Sequence, residues 1–169
     1  MKVLVRKGNC LDFAGDVILF FHYSDIRPLK GALGLLDWRC NGIVSRLMKK
    51  KRGLFDFGRM SILAPQGKIP AAKVLITGLG PAGSMDSNLR TEALRIALKG
   101  AGNVASRKIA LDTGILEKDL PEEIGQDLER ILGELNLEEP FTIALFRSGR
   151  QSSGKSGEEW ADDGRTVEA

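Results

Sequence analysis

The segment from Lys73 to Leu111 constrains this chain more than any other. Lys73 to Thr77 is an apolar run that reads as a strand. It runs into the turn Gly78-Leu79-Gly80-Pro81-Ala82-Gly83, after which Asp86 caps a helix. Leu89, Ala93, Leu94, Ile96 and Ala97 recur along that helix at the spacing of one buried face. Lys108 to Leu111 is again a strand. Two strands joined through a helix lie parallel, since a short hairpin can join only antiparallel neighbours.

The same alternation extends to both sides. Val3 to Val5 and Val17 to Phe21 read as strands, the second buried on both faces because its apolar residues do not alternate. Pro28 opens a helix with Leu29, Leu33, Leu36 and Trp38, and Asn41 caps a shorter one with Ile43, Val44, Leu47 and Met48 on one face. Met60 to Leu63 is a strand stopped by Pro65. Pro121 sits at a first helical turn, and Ile124, Leu128, Ile131, Leu132 and Leu135 form one stripe behind it. Phe141 to Phe146 is the last strand of this pattern. Strands separated by helices predict an α/β fold, a mostly parallel sheet covered on both faces. From Ser148 onward glycine, serine and acidic residues dominate, so residues 148–169 are expected to be a flexible tail behind a domain of residues 1–147.

The formal charge of +3 decides little, but Lys49, Lys50, Lys51 and Arg52 form a basic cluster able to meet nucleic acid. Cys10, Cys40 and the single histidine, His22, have no metal-ligand spacing. The N-terminus lacks the apolar core of a signal peptide, and no apolar run reaches membrane-spanning length. A cytoplasmic protein with free thiols is expected.

Two nucleotide motifs occur, and both fail in context. Gly78, Gly80 and Gly83 match the dinucleotide pattern GxGxxG after a strand and before a helix. However, Ser84 and Met85 intervene before Asp86, and Pro81 removes an N–H where pyrophosphate would need one. The expectation is a tight turn. Gly149 to Ser156 matches GxxxxGK[ST], but the residues behind it are too few and too acidic for the helix a P-loop requires.

Three blocks in order, Leu29 to Met48, Phe55 to Gly80 and Leu89 to Ala101, resemble the N-terminal domain of the M17 (leucyl aminopeptidase) peptidases. The resemblance implies a three-layer α/β/α, macro-domain-like fold. Ser106 to Leu132 is also similar to the macro-domain stretch whose Thr-Gly-Ile loop holds a phosphate, with Thr113, Gly114 and Ile115 in that position. This chain departs from ADP-ribose binders at Glu117 and Lys118, and at Phe21-His22-Tyr23-Ser24. In the M17 enzymes hydrolysis belongs to a C-terminal two-metal domain that nothing in these residues matches. The resemblance therefore implies no catalytic residue, metal ligand or cofactor. It implies a non-catalytic module for binding or assembly, through self-association, a peptidase partner, or DNA at Lys49, Lys50, Lys51 and Arg52. The alternative is an ADP-ribose-like or nucleotide ligand held at Gly78, Gly80, Thr113, Gly114 and Ile115.

Overall fold

The computed structural model describes residues 2–104, 107–116, 121–135, 142–146 and 166–167. In chain order these form β1 (Lys2–Arg6), β2 (Val17–His22), α1 (Gly31–Arg39), α2 (Ile43–Lys50), β3 (Met60–Leu63) and β4 (Lys73–Gly78). There follow α3 (Ser87–Asn103), β5 (Lys108–Asp112), α4 (Pro121–Leu135), β6 (Thr142–Phe146) and β7 (Thr166–Val167). One sheet runs β3-β4-β2-β5-β6-β1-β7. Its inner strands pair parallel, and only β3 and β7, at the two edges, run antiparallel to their neighbours. Apart from β7, the residues read as a tail lie outside the described residues.

The non-alternating composition of β2 follows from its place in the sheet. Val17, Leu19 and Phe21 face one way, into a core completed by Leu94, Leu98, Leu128 and Ile131 of α3 and α4. Ile18 and Phe20 face the other way, against Leu33, Leu36 and Val44 of α1 and α2. A strand packed on both faces has no use for polar residues, and each such side chain contributes about 1.5–3 kcal/mol. The α/β/α layering and mostly parallel sheet expected from the sequence are what forms.

Three local details differ from the sequence reading. Helix α1 starts at Gly31, so Pro28 and Leu29 precede it, and Trp38 points outward, 77% exposed. Asn41 does not cap α2. It adopts a left-handed conformation (φ 54) and Gly42 is the N-cap. The cap's acceptor comes instead from Asp37 in α1, whose Oδ1 accepts from Val44 N at 2.8 Å and Ser45 N at 3.0 Å. In α3 the capping by Asp86 does form, with Leu89 N donating to Oδ1 at 2.8 Å. Ile96, however, is only partly buried, and Leu98 and Ala101 complete the inner face. Among the described residues no helix is long and apolar enough to cross a membrane.

Candidate functional site

In an open parallel sheet, ligands bind beyond the carboxyl ends of the strands where the strand order reverses. From β2 the chain moves to β4 on one side, then crosses over β2 to β5 and continues to β6. The reversal lies between β2 and β5. Strand β2 ends there at His22, in register with Gly78 of β4, and Asp112 ends β5 on the other side. The structure thus brings all five residues predicted for ligand binding to one end of the sheet: Gly78 and Gly80 on one flank of β2, Thr113, Gly114 and Ile115 on the other.

What these loops do with their backbone N–H groups decides what they can bind. Gly78 N donates to Arg59 O at 2.8 Å, Leu79 N to His22 O at 2.9 Å and Gly80 N to Phe55 O at 3.0 Å. Ala82 N donates to the carboxylate of Asp25 at 2.9 Å. On the other flank Thr113 N donates to Phe146 O at 3.0 Å, and Leu116 N to Thr113 O at 2.8 Å. Gly114 N donates to Asp112 Oδ1 at 3.1 Å, an Asx turn. A phosphate-binding loop offers converging, unengaged N–H groups to the anion. Here these donors are engaged within the chain, and the two anions they meet are side chains of the protein.

The glycines have a packing role in this arrangement. A Cβ on Gly78 would lie 2.3 Å from Asp56 O and 2.5 Å from Phe55 C, so the loop 53–58 rests directly on β4. Gly80 takes φ +69, a left-handed conformation that favours glycine. Gly83, the third glycine of the fingerprint, sits in a single 3-10 turn, Ala82–Ser84, ahead of α3. The dinucleotide arrangement, with its last glycine packed inside the helix start, is therefore not built.

His22 closes the floor between the two flanks. It is 3% exposed, and its ring meets Phe55 edge-on at 4.7 Å. Nε2 lies 3.1 Å from Ile26 O, and because a carbonyl only accepts, Nε2 carries the proton and donates. Burial holds its pKa below the usual value, with the Arg27 charge adding in the same direction against the Ile26 hydrogen bond. A neutral ring held in this way is a structural group. Burial, and the Asp112 charge behind it, push the Cys10 thiol far up, so it is not a nucleophile at neutral pH.

The remaining sites are surface features. Lys49 and Lys50 end α2, Lys51 is its C-cap, and all four residues from Lys49 to Arg52 are exposed. Cations in a last helical turn are favoured by the helix dipole whatever else they contact. A cleft of about 590 Å³ lies along β1 and β6, lined by Leu4, Arg6, Phe13, Lys108, Thr142 and Phe146 among others, and by none of the five predicted residues. Among the described residues no group of three or more His, Cys, Asp or Glu side chains could hold a metal ion. Gly149 to Ser156, Glu117 and Lys118 lie outside the described residues. Sequence reasoning overlooked Asp25, and the turn that Asp112 makes with Gly114. The spacing Asp112-Thr113-Gly114, an acid two residues before a turn glycine, was the available signal for the second.

No family model matches the chain. It is 26% identical over 129 residues to a probable cytosol aminopeptidase of Sulfurihydrogenibium sp., covering 75% of this chain and 26% of that protein. A similar match to the probable cytosol aminopeptidase of Alkaliphilus oremlandii also covers 26% of its length, so the chain spans about a quarter of these relatives. Among solved structures, a tomato leucine aminopeptidase variant superposes with a TM-score of 0.66 at 14% identity, over 88% of this chain and 33% of that one. A Trypanosoma brucei macrodomain in complex with ADP-ribose superposes with a TM-score of 0.66 at 16% identity, over 85% of this chain and 63% of that one. The sequence matches and the shared fold agree.

Proposed function

For this chain, which resembles the macro-domain-like N-terminal domain of the M17 leucyl aminopeptidases, we propose a non-catalytic role in which it binds protein partners. The partners are an M17-type peptidase and further copies of the chain. The observation that carries this reading is the internal use of the loop donors. The N–H groups of Gly78, Leu79, Gly80, Ala82, Thr113, Gly114 and Leu116 go to Arg59, His22, Phe55, Asp25, Phe146, Asp112 and Thr113 in turn. An incoming phosphate would have to displace two carboxylates and break hydrogen bonds that hold the loops to the sheet. Each such bond contributes about 1 kcal/mol net, and an unmade buried one costs more.

The competing reading is a macro-type module for ADP-ribose or another nucleotide. It is favoured by the shared fold with the macrodomain solved with ADP-ribose and by the position of Thr113, Gly114 and Ile115 at the strand-order reversal. One pair of experiments separates the two. Purified chain is first heated with and without ADP-ribose, then offered as bait to an intact M17 aminopeptidase. The assembly reading expects an unchanged melting temperature and co-purification with the peptidase. A saturable upward shift with no captured peptidase would replace it. Retention on DNA that falls steeply with salt, and disappears when Lys49, Lys50, Lys51 and Arg52 are neutralised, would add a nucleic-acid role to that basic cluster.

A further inference from the structure

We propose that the cleft along β1 and β6 binds an extended acidic peptide, a segment of a protein partner with two carboxylates four positions apart and an apolar side chain midway between them. The proposal rests on the assembly reading and names the recognition surface it uses. At about 590 Å³ the cleft has the size of a site for a short peptide or a drug-sized molecule. Pleating puts alternate residues of a strand on one face, so Leu4 and Arg6 of β1, Thr142 and Phe146 of β6 and Lys108 of β5 share a face. It is the face that α1 and α2 cover further along the sheet, since Phe146 belongs to the core those helices complete.

The floor of the cleft is apolar and its charges stand at the two ends. Leu4 and Phe13 are partly buried there, and the Phe13 ring meets that of buried Phe146 edge-on at 6.0 Å. Arg6 and Lys7 stand where β1 ends, Lys108 where β5 begins, and all three are exposed. Among the described residues that line the cleft the one carboxylate is Asp12, and its Oδ1 accepts from Arg39 Nη1 at 3.3 Å. Asp16, whose carboxylate also feels the Lys108 charge, spends Oδ2 on the N–H groups of Arg107 and Lys108 at 2.7 and 2.8 Å. Asp112, in register with Phe146, gives Oδ1 to Gly114. Three cations against carboxylates engaged in this way leave the cleft with an excess of positive charge, which favours an anionic occupant.

Register gives the spacing that the occupant must match. Lys108 lies opposite Thr142, and Thr142 opposite Lys2, so Arg6 is four positions further along and two strands across. That is roughly 13 Å along the strands, and roughly 16 Å on the diagonal between the Cα atoms. In an extended peptide residues i, i+2 and i+4 point the same way, with the outer two roughly 13 Å apart. Two acidic side chains at i and i+4 then reach toward Arg6 and Lys108, whose long stems cover the remaining distance, and the side chain at i+2 meets the apolar floor. Strand β1 is paired with β6 on one side and β7 on the other, so the peptide adds no strand to the sheet and is gripped by side chains. A nucleic-acid strand would present a charge at every nucleotide, including over the apolar middle, and fits less well.

Fluorescence anisotropy of a labelled, end-blocked peptide of sequence SESFSES, titrated with the whole chain at low salt, tests the cleft. Binding should saturate. Arg6→Gln and Lys108→Gln change exposed side chains, so both variants should melt as the wild type does, and each should weaken binding about two- to fivefold. Serine in place of the peptide's phenylalanine should weaken it about tenfold. Lys49→Gln, an equal loss of charge at the end of α2, should leave it unchanged. Absence of saturable binding, or equal weakening by Lys49→Gln, would overturn the proposal. So would tighter binding of an oligothymidylate that Arg6→Gln and Lys108→Gln abolish. Glu158, Trp160 and Asp162, outside the described residues, repeat the spacing in this chain's own sequence. Peptide binding seen only after Glu158→Gln and Asp162→Asn would therefore replace the partner with that segment. The wild type is also offered to an intact M17 aminopeptidase. Capture of the peptidase without peptide binding would remove the cleft and leave the assembly reading in place, and peptide binding without capture would do the reverse.

Discussion

If the glycines of the Gly78–Gly83 turn serve packing, replacing them with alanine should produce a graded loss of stability unrelated to the motif they spell. At Gly78 the added methyl would sit 2.3 Å from Asp56 O, 2.5 Å from Phe55 C and 2.7 Å from Phe55 Cα. All three are backbone atoms, so no side chain can swing aside. The loop would have to retreat by about 1 Å to reach ordinary contact distance. It is tied down by Gly58 N to Gly78 O at 3.0 Å, Gly78 N to Arg59 O at 2.8 Å and Gly80 N to Phe55 O at 3.0 Å. Overpacking costs about 1–3 kcal/mol, and one weakened hydrogen bond adds about 1, so Gly78→Ala should cost about 2–4 kcal/mol. At Gly80 the nearest atom is Phe57 Cβ at 3.4 Å, so the left-handed backbone is the main cost, about 1–2 kcal/mol. At Gly83 nothing lies within 4 Å and φ is not positive, so Gly83→Ala should fall within about 0.5 kcal/mol of wild type. Urea unfolding of the three variants, read at constant m, measures the series. In thermal melts about 2–4 °C should be lost per kcal/mol in a domain of this size. Equal costs at the three positions, or the largest at Gly83, would refute the packing account.

Two further substitutions test the supports around the site. Asp37→Ala removes the acceptor that caps α2 from a neighbouring helix and should cost about 1–2 kcal/mol, with Asp37→Asn losing less because one oxygen remains; urea midpoints measure both. His22 gives a pH signature. Its folded pKa lies below the usual 6.5, so the unfolded chain takes up a proton that the folded chain refuses. The resulting penalty is absent above about pH 7, destabilises the fold as pH falls through the unfolded value, and levels off below the folded one. Wild-type melting temperature should therefore fall more steeply between pH 7 and 5 than that of His22→Gln. Parallel curves would remove the buried neutral histidine.

Much of the fold was legible in the sequence because most of its elements state their own environment. The unbroken apolar run from Val17 to Phe21 could only belong to a strand covered on both faces, and the spacing from Leu89 to Ala97 only to an amphipathic helix. Asp86 and its helix could be paired because cap and target are adjacent. Asp37 could not be paired with Val44 and Ser45, because the turn between α1 and α2 is what folds that carboxylate onto the next helix. Asn41 offered a nearer and more obvious cap, but its left-handed backbone gives it the job of turning the chain. At the site, the positions of Gly78, Gly80, Thr113, Gly114 and Ile115 at one end of the sheet followed from reading them as strand-end loops. That the N–H groups of Gly78, Gly80 and Thr113 are already spent did not follow, since the acceptors at Arg59, Phe55 and Phe146 arrive from other parts of the chain.

The measurement that bears most directly on this account is calorimetric and thermal titration of the chain with ADP-ribose. A fold whose strand-end loops have used their donors internally should release no heat of binding and keep its melting temperature at millimolar ligand. A ligand at a hundredfold excess over its dissociation constant would stabilise the chain by about 2.7 kcal/mol. Saturable heat together with a rise of that order would contradict it.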